Sequence, residues 1–228
     1  MTARRRPVAV LVAAGIVFVI LLGLGVWQVQ RLAWKTDLIA RVDARVAAAP
    51  VAAPGPAEWD ALTEENAEYR RVTVAGDYRP DSDVLVQAVT ERGPGFWVMT
   101  PLRTQDGWTV LVNRGFVAAD RRDDRPLPAG AQTVTGLLRL SQPGGAFLRA
   151  NDPRAGRWYS RDTQAIAATL GLPRAAPYFI DADRAGGGQQ PVGGMTVIAF
   201  RNNHLSYALT WFAMAGLLAF LTLRVLRR

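Results

Sequence analysis

The chain contains no cysteine and a single histidine, His204. Without cysteine there are no disulfides, zinc ribbons, iron–sulfur sites or thiol redox chemistry. A copper carrier would want thiolates, several histidines or clustered methionines. The four methionines, Met1, Met99, Met195 and Met214, are scattered. A Ser-His-Asp triad would have to use His204, and no Gly-x-Ser-x-Gly elbow supplies its nucleophile. There is no Gly-x-x-x-x-Gly-Lys phosphate loop and no His-Glu-x-x-His zinc pair. The carboxylate pairs Asp123-Asp124 and Glu64-Glu65 stand among other polar residues and read as solvated surface. Conventional enzyme chemistry and metal chaperoning thus both lack their residues.

Charge is missing from two long stretches. Pro7 to Trp27 and Leu205 to Leu223 contain no Asp, Glu, Lys or Arg. At about 1.5 Å per residue each matches the roughly 30 Å hydrocarbon core of a bilayer. A cleavable signal peptide would have an apolar region of about 7–15 residues closely followed by a small-residue site. Here Gln28, Gln30, Arg31, Trp34 and Lys35 follow instead, and Ala47-Ala48-Ala49 lies far downstream. The first run therefore reads as an uncleaved anchor. Arg4, Arg5 and Arg6 precede it, and Arg224, Arg227 and Arg228 end the second run. The positive-inside bias puts both termini in the cytoplasm and the intervening region outside. The expected division is a basic tail over residues 1–6, a span over 7–27, an extracytoplasmic domain over 28–204, a span over 205–223 and a basic tail over 224–228.

The net charge of +8 has a local source. Six of the 27 Lys and Arg lie in the terminal clusters, leaving 21 against 19 acidic residues. Positive charge beside a span sets topology or meets anionic lipid, so nucleic acid is excluded as a partner.

The middle of the chain reads as α+β, with a β-rich, antiparallel barrel or sandwich. A helical stretch starts at Thr36-Asp37 and stops at Pro50; Trp59 and Leu62 suggest a second short helix. Strand patterns cover Arg71–Tyr78, Asp83–Val89, Phe96–Leu102, Trp108–Val117, Gln132–Leu140, Trp158–Ser160, Tyr178–Asp181 and Met195–Phe200. Asp106-Gly107 marks a hairpin, and Gly93-Pro94-Gly95 and Gly186-Gly187-Gly188 mark a turn and a flexible loop. Asp162 caps a helix that Gly171 and Pro173 end.

The junction Arg201-Asn202-Asn203-His204-Leu205-Ser206-Tyr207 stands at the outer mouth of the second span, with Asn203 as a plausible N-cap. Two readings of His204 stand side by side. It is an interfacial anchor like Tyr207 and Trp211, or an axial haem ligand, imidazole being a common one. In the second reading the ring lies among Tyr207, Trp211 and the first span, with propionates near Arg201, Arg31 or Lys35. Trp27, Gln28, Arg31, Trp34 and Lys35 read as an interfacial collar or as a docking face. Asn113-Arg114-Gly115 reads as a strand-end turn or bulge, with Gly115 relieving the backbone.

Four stretches carry a family resemblance: Gly25–Lys35, Val74–Tyr78, Val110–Val117 and Arg201–Phe212. With the two terminal spans they resemble the Surfeit locus (Shy-type) family of cytochrome c oxidase assembly factors, over about Gly23 to Phe220. The resemblance implies a protein that assists maturation of haem–copper terminal oxidases, around insertion of haem a into the catalytic subunit. It makes His204 the proposed haem ligand, haem a the transient cofactor, and the oxidase catalytic subunit the partner, with haem a synthase a further candidate. It implies no enzymatic activity and a multi-pass location in the plasma membrane. A scaffold that stabilises the immature subunit without binding haem is the alternative.

Overall fold

The computed structural model describes residues 5–144, 149–184 and 190–227. Arg4, Arg228 and the Gly186-Gly187-Gly188 loop fall outside them. The chain forms two compact units. One combines the segments up to Asp43 and from Ile198; the other runs from Ala44 to Val197.

The first unit is a pair of helices, α1 (Arg5–Ala47) and α4 (His204–Leu226). Both are long and apolar enough to cross a membrane. Val8, Val12, Ile16, Val19, Leu209, Leu217 and Phe220 are exposed on them. A continuous exposed apolar surface suits lipid, where helices satisfy their own backbone groups. Thr210 and Thr222 dispose of their hydroxyls on the carbonyls of Ser206 and Leu218. The expected new helix at Thr36 is instead the continuation of α1, because no glycine or proline interrupts the pattern between Val26 and Ala49.

What pairs the helices is a repeat. A covered seam of α1 runs through Leu11, Ala14, Phe18, Leu21, Gly25, Gln28, Leu32 and Lys35, alternately three and four apart. On α4 a covered seam through His204, Ala208, Trp211, Ala215, Leu218 and Thr222 has the same spacing. A 3.5-residue period keeps one seam facing a partner helix. The contacts fix the direction: Gln28 meets His204, and Gly25 lies against the Phe212 ring, so the helices run antiparallel. A Cβ at Gly25 would sit 2.5 Å from Phe212 Cε1, so glycine leaves the room this ring fills.

The second unit is built on a seven-stranded sheet: β1 (Val51–Ala52), β2 (Arg71–Tyr78), β3 (Val84–Thr90), β4 (Gly93–Thr104), β5 (Thr109–Ala118), β6 (Gln132–Leu140) and β7 (Ala175–Ala182). Its order is β1-β2-β6-β7-β5-β4-β3, and β2 also pairs with the end of β4. Strands β2, β6, β7, β5 and β4 therefore close into a barrel. Alternate residues fill it: Val72 and Val74, Leu102, Val110 and Val112, Val134 and Leu138, Tyr178 and Ile180. The short helix α2 (Glu64–Ala67) carries a capping box between Thr63 and Asn66. Helix α3 (Thr163–Leu170) covers the outer face of the barrel, where Ile166 packs with Met99, Leu111, Trp158 and Phe179. Asp162 caps α3 by accepting from Gln164 and Ala165, and left-handed Gly171 ends it. Strand β5 is thus buried on both faces, and its apolar run is broken only by Asn113-Arg114 after the opening Thr109.

Four expectations are corrected. The sheet is mixed, because β1–β2 and β5–β7 are parallel. Strand β7 inserts between β5 and β6 after a long connection through α3, and local periodicity carries no record of that partner. Gly93-Pro94-Gly95 is the start of β4 and pairs with Thr90-Val89-Ala88; the turn is at Glu91-Arg92. Gly95 belongs there because Phe116 and the Val117 carbonyl crowd its Cα. Trp158–Ser160 makes a single bridge, Trp158 to Val86. Met195–Phe200 is not a strand. It pairs with no strand, and Val197 is exposed.

Candidate functional site

The resemblance motifs fall in two places. Asn113, Arg114 and Gly115 lie within β5, away from its ends. Opposite them the register of β4 shifts between Trp97 and Met99, so the extra residue makes a bulge. Gly115 has φ +132°, and a Cβ there would strike the Val192 backbone, which exchanges two hydrogen bonds of 2.9 Å with Phe116. Arg114 is buried and fully engaged. Its Nε donates to Thr100 Oγ1 at 2.8 Å, Nη1 to the Pro126 carbonyl at 2.7 Å, and Nη2 to Asp83 at 3.1 Å. The side chain ties the loop after β5 to the start of β3 and lies 5.7 Å over Tyr78. Burial pushes the Tyr78 phenol up to about 12, with Arg114 pulling the other way.

Asn113 leads to a network that sequence reasoning missed. Its Nδ2 donates to buried Asp181 at 2.7 Å, and its Oδ1 accepts from the Gly115 N–H. Asp181 also accepts from Arg139 at 2.9 Å, Arg161 at 3.2 Å and Thr196 at 2.9 Å. Glu68 takes Arg139 Nε at 2.7 Å and the Leu140 N–H at 2.8 Å. Burial lowers the Arg161 guanidinium. Burial alone would also lower Arg139, but Asp181 and Glu68 outweigh it and hold that guanidinium above its ordinary value. Arg139, Arg161 and Asp181 line a cavity of about 660 Å³ with Trp97 and Met195. Every named donor and acceptor has a partner inside the fold, so this cluster holds the barrel's end together. No spacing in the sequence announces it, because its members come from six separate segments.

The second place is the mouth of the helix pair. His204 opens α4 and is half-buried. Its Nδ1 lies 2.7 Å from Gln28 Oε1, and Gln28 is 8% exposed. The structure thus draws Gln28 out of the collar and onto the histidine. Trp27, Arg31 and Trp34 remain exposed as a collar would be, with Arg31 stacked 5.0 Å over Trp34. Lys35 lies 4.9 Å over the Phe200 ring. Arg201 is exposed. Asn203 occupies the N-cap position without a side-chain bond, and buried Asn202 Oδ1 has no hydrogen-bond partner. At about 100° per residue, His204, Tyr207 and Trp211 share one 60° flank of α4, beside the Ala208–Ala215 stripe. Tyr207 is exposed, whereas the Trp211 Nε1–H is buried with no acceptor.

Comparison with known proteins adds the decisive observation: the model of the SURF1 family matches residues 15–216, from within α1 to within α4. The chain belongs to the SURF1 family. It is 35% identical to Surfeit locus protein 1 of Mus musculus over 222 residues, covering 87% of this chain and 70% of that protein. The Homo sapiens protein of the same name is 34% identical, with 87% and 71% covered. A SURF1-like protein of Monosiga brevicollis is 34% identical, with 87% and 80% covered. The SURF1 match takes in both helix ends and the barrel, so the Gln28–His204 contact and the Asp181 network both lie inside it.

Proposed function

We propose that this SURF1-family protein is a non-enzymatic assembly factor for a haem–copper terminal oxidase. It holds haem a transiently at the mouth of its helix pair and aids its insertion into the catalytic subunit. The observation that carries the reading is the half-buried imidazole of His204 at the start of an apolar helix, on one flank with Tyr207 and Trp211.

The residues present fit a haem. Iron takes imidazole readily, and a single such ligand suits reversible holding. A buried N–H without an acceptor costs about 1–3 kcal/mol, so Trp211 Nε1 is a donor waiting for an acceptor on that flank. Arg31, Arg201 and Lys35 are near the same helix ends in sequence and would pair with propionates. Bound haem a would supply the iron and the apolar ring; the chain's part is to orient and release it.

In this reading both termini are cytoplasmic, the barrel domain is extracytoplasmic, and the protein is a multi-pass component of the plasma membrane. Its partners are the lipid bilayer, the oxidase catalytic subunit and haem a synthase; nucleic acid is not among them. The test is purification from cells that make haem a. Stoichiometric haem in the parent, lost in His204→Ala, supports the carrier. Colourless parent protein that still binds the oxidase subunit replaces it with the scaffold reading.

A further inference from the structure

The one imidazole of the chain is tied to a side chain 176 positions earlier. Gln28 is a buried amide in a helix seam with the apolar Leu11, Ala14, Phe18, Leu21, Gly25 and Leu32. A leucine would fill such a position at no polar cost; the amide instead meets His204. The distance of 2.7 Å runs from Gln28 Oε1 to His204 Nδ1. An amide oxygen only accepts, so this pairing calls for the proton on Nδ1, which in the neutral ring leaves Nε2 its lone pair. Metal-bound histidines are typically held in this way, through the ring nitrogen that does not meet the metal.

We propose that Gln28 is a positioning residue. It locks His204 in the Nδ1-protonated tautomer and presents Nε2 as the ligating atom for haem iron. The proposal rests on the haem-carrier reading for the identity of the ligand, but not for the tautomer. Its chemistry also separates glutamine from a carboxylate. Both orient the ring, but the neutral amide adds no charge to an apolar seam and draws the proton less strongly. Donation from Nε2 is therefore modest, as suits a ligand that must let go.

The full-length chain in detergent, labelled with ring-¹⁵N histidine, tests the lock directly, because His204 is the one histidine of the chain and its two ring nitrogens are then the only signals. At about pH 8, above the ordinary imidazole range, Nδ1 is expected to carry the proton in the parent. Gln28→Leu is expected to lose that preference, and Gln28→Glu to keep it. A parent spectrum with the proton on Nε2 overturns the proposal. Titration with ferric haem b and with haem a then reads the consequence. Gln28→Leu should weaken binding about 10–100-fold, the usual effect of losing such a partner, with an altered haem spectrum. Gln28→Glu should restore binding, and His204→Ala should abolish it. Unchanged helix content and melting in Gln28→Leu separate positioning from folding. Equal haem affinity in Gln28→Leu and the parent overturns the proposal. A parent that takes up no haem removes the carrier reading and the ligating role of Nε2 with it, while the ring resonances still decide the lock.

Discussion

Replacing Asp181 by asparagine should be among the most damaging isosteric changes in the barrel. The carboxylate receives Asn113 at 2.7 Å, Arg139 at 2.9 Å, Thr196 at 2.9 Å and Arg161 at 3.2 Å. Its side chain is 4% exposed. Asparagine keeps the shape but turns one accepting oxygen into a donor, which then faces other donors. It also removes the charge. Arg139 retains Glu68, but Arg161 is left with Gln142 alone, at 2.7 and 3.1 Å. Arg161 lies 4.8 Å from the Phe179 ring and is already lowered by burial, so water cannot replace the lost partner cheaply. Removing one member of a buried pair costs about 3–5 kcal/mol, against about 5–15 kcal/mol for a whole domain. Urea unfolding of the full chain in detergent, followed by tryptophan fluorescence, measures it; Trp59, Trp97 and Trp108 all belong to this unit. Arg161→Met provides the control. In the double variant the orphaned guanidinium is gone, so the two changes should couple by about 1–3 kcal/mol. A loss under about 1 kcal/mol for Asp181→Asn, or simple additivity in the double variant, refutes the argument.

Other outcomes follow from single features. Gly115→Ala should destabilise the barrel by at least about 2 kcal/mol, since alanine at φ +132° strikes Val192; melting of the full chain checks it. The Tyr78 phenol is raised to about 12 by burial, against about 10 in an unfolded chain. Its contribution is whole below about pH 10 and is lost as pH rises toward 12, so alkaline unfolding should begin earlier in the parent than in Tyr78→Phe. Reporter fusions at Gly130 and at the C-terminus should report opposite sides of the membrane; the same side for both would remove the two-span topology.

Much of the fold was legible because it is local. The Arg71–Tyr78 and Gln132–Leu140 strands follow from alternation or β-branched runs, and the α3 ends follow from Asp162 and Gly171. The Asp106-Gly107 hairpin follows from its turn residues, with Gly107 at φ +80°. What was not legible depends on partners. Whether a strand pairs in parallel, as β7 does with β5, is decided across the barrel. Met195–Phe200 has a strand's composition but pairs with no strand of the sheet. The Asp181 network was hidden because Glu68, Arg139, Arg161 and Asp181 are individually ordinary charges.

The candidate site divides along the same line. His204 stood out as a lone imidazole beside a charge-free run, which needs no tertiary knowledge. Gln28 did not, because its neighbours Trp27, Arg31 and Trp34 are exposed and it was read with them. The three-four repeat through Leu21, Gly25, Gln28 and Leu32 was the available signal, and it separates Gln28 from that group. Asn113, Arg114 and Gly115 belong to a bulge, as read, but inside β5, where their chemistry is spent on the fold.

The most direct test of the account measures haem a in the oxidase catalytic subunit itself. The subunit is matured in cells lacking the native chain and supplied with either the parent or His204→Ala. Both proteins should be present in equal amount with the barrel intact by limited proteolysis. The account predicts a subunit deficient in haem a with His204→Ala and filled with the parent. Equal haem a occupancy in the two would contradict it.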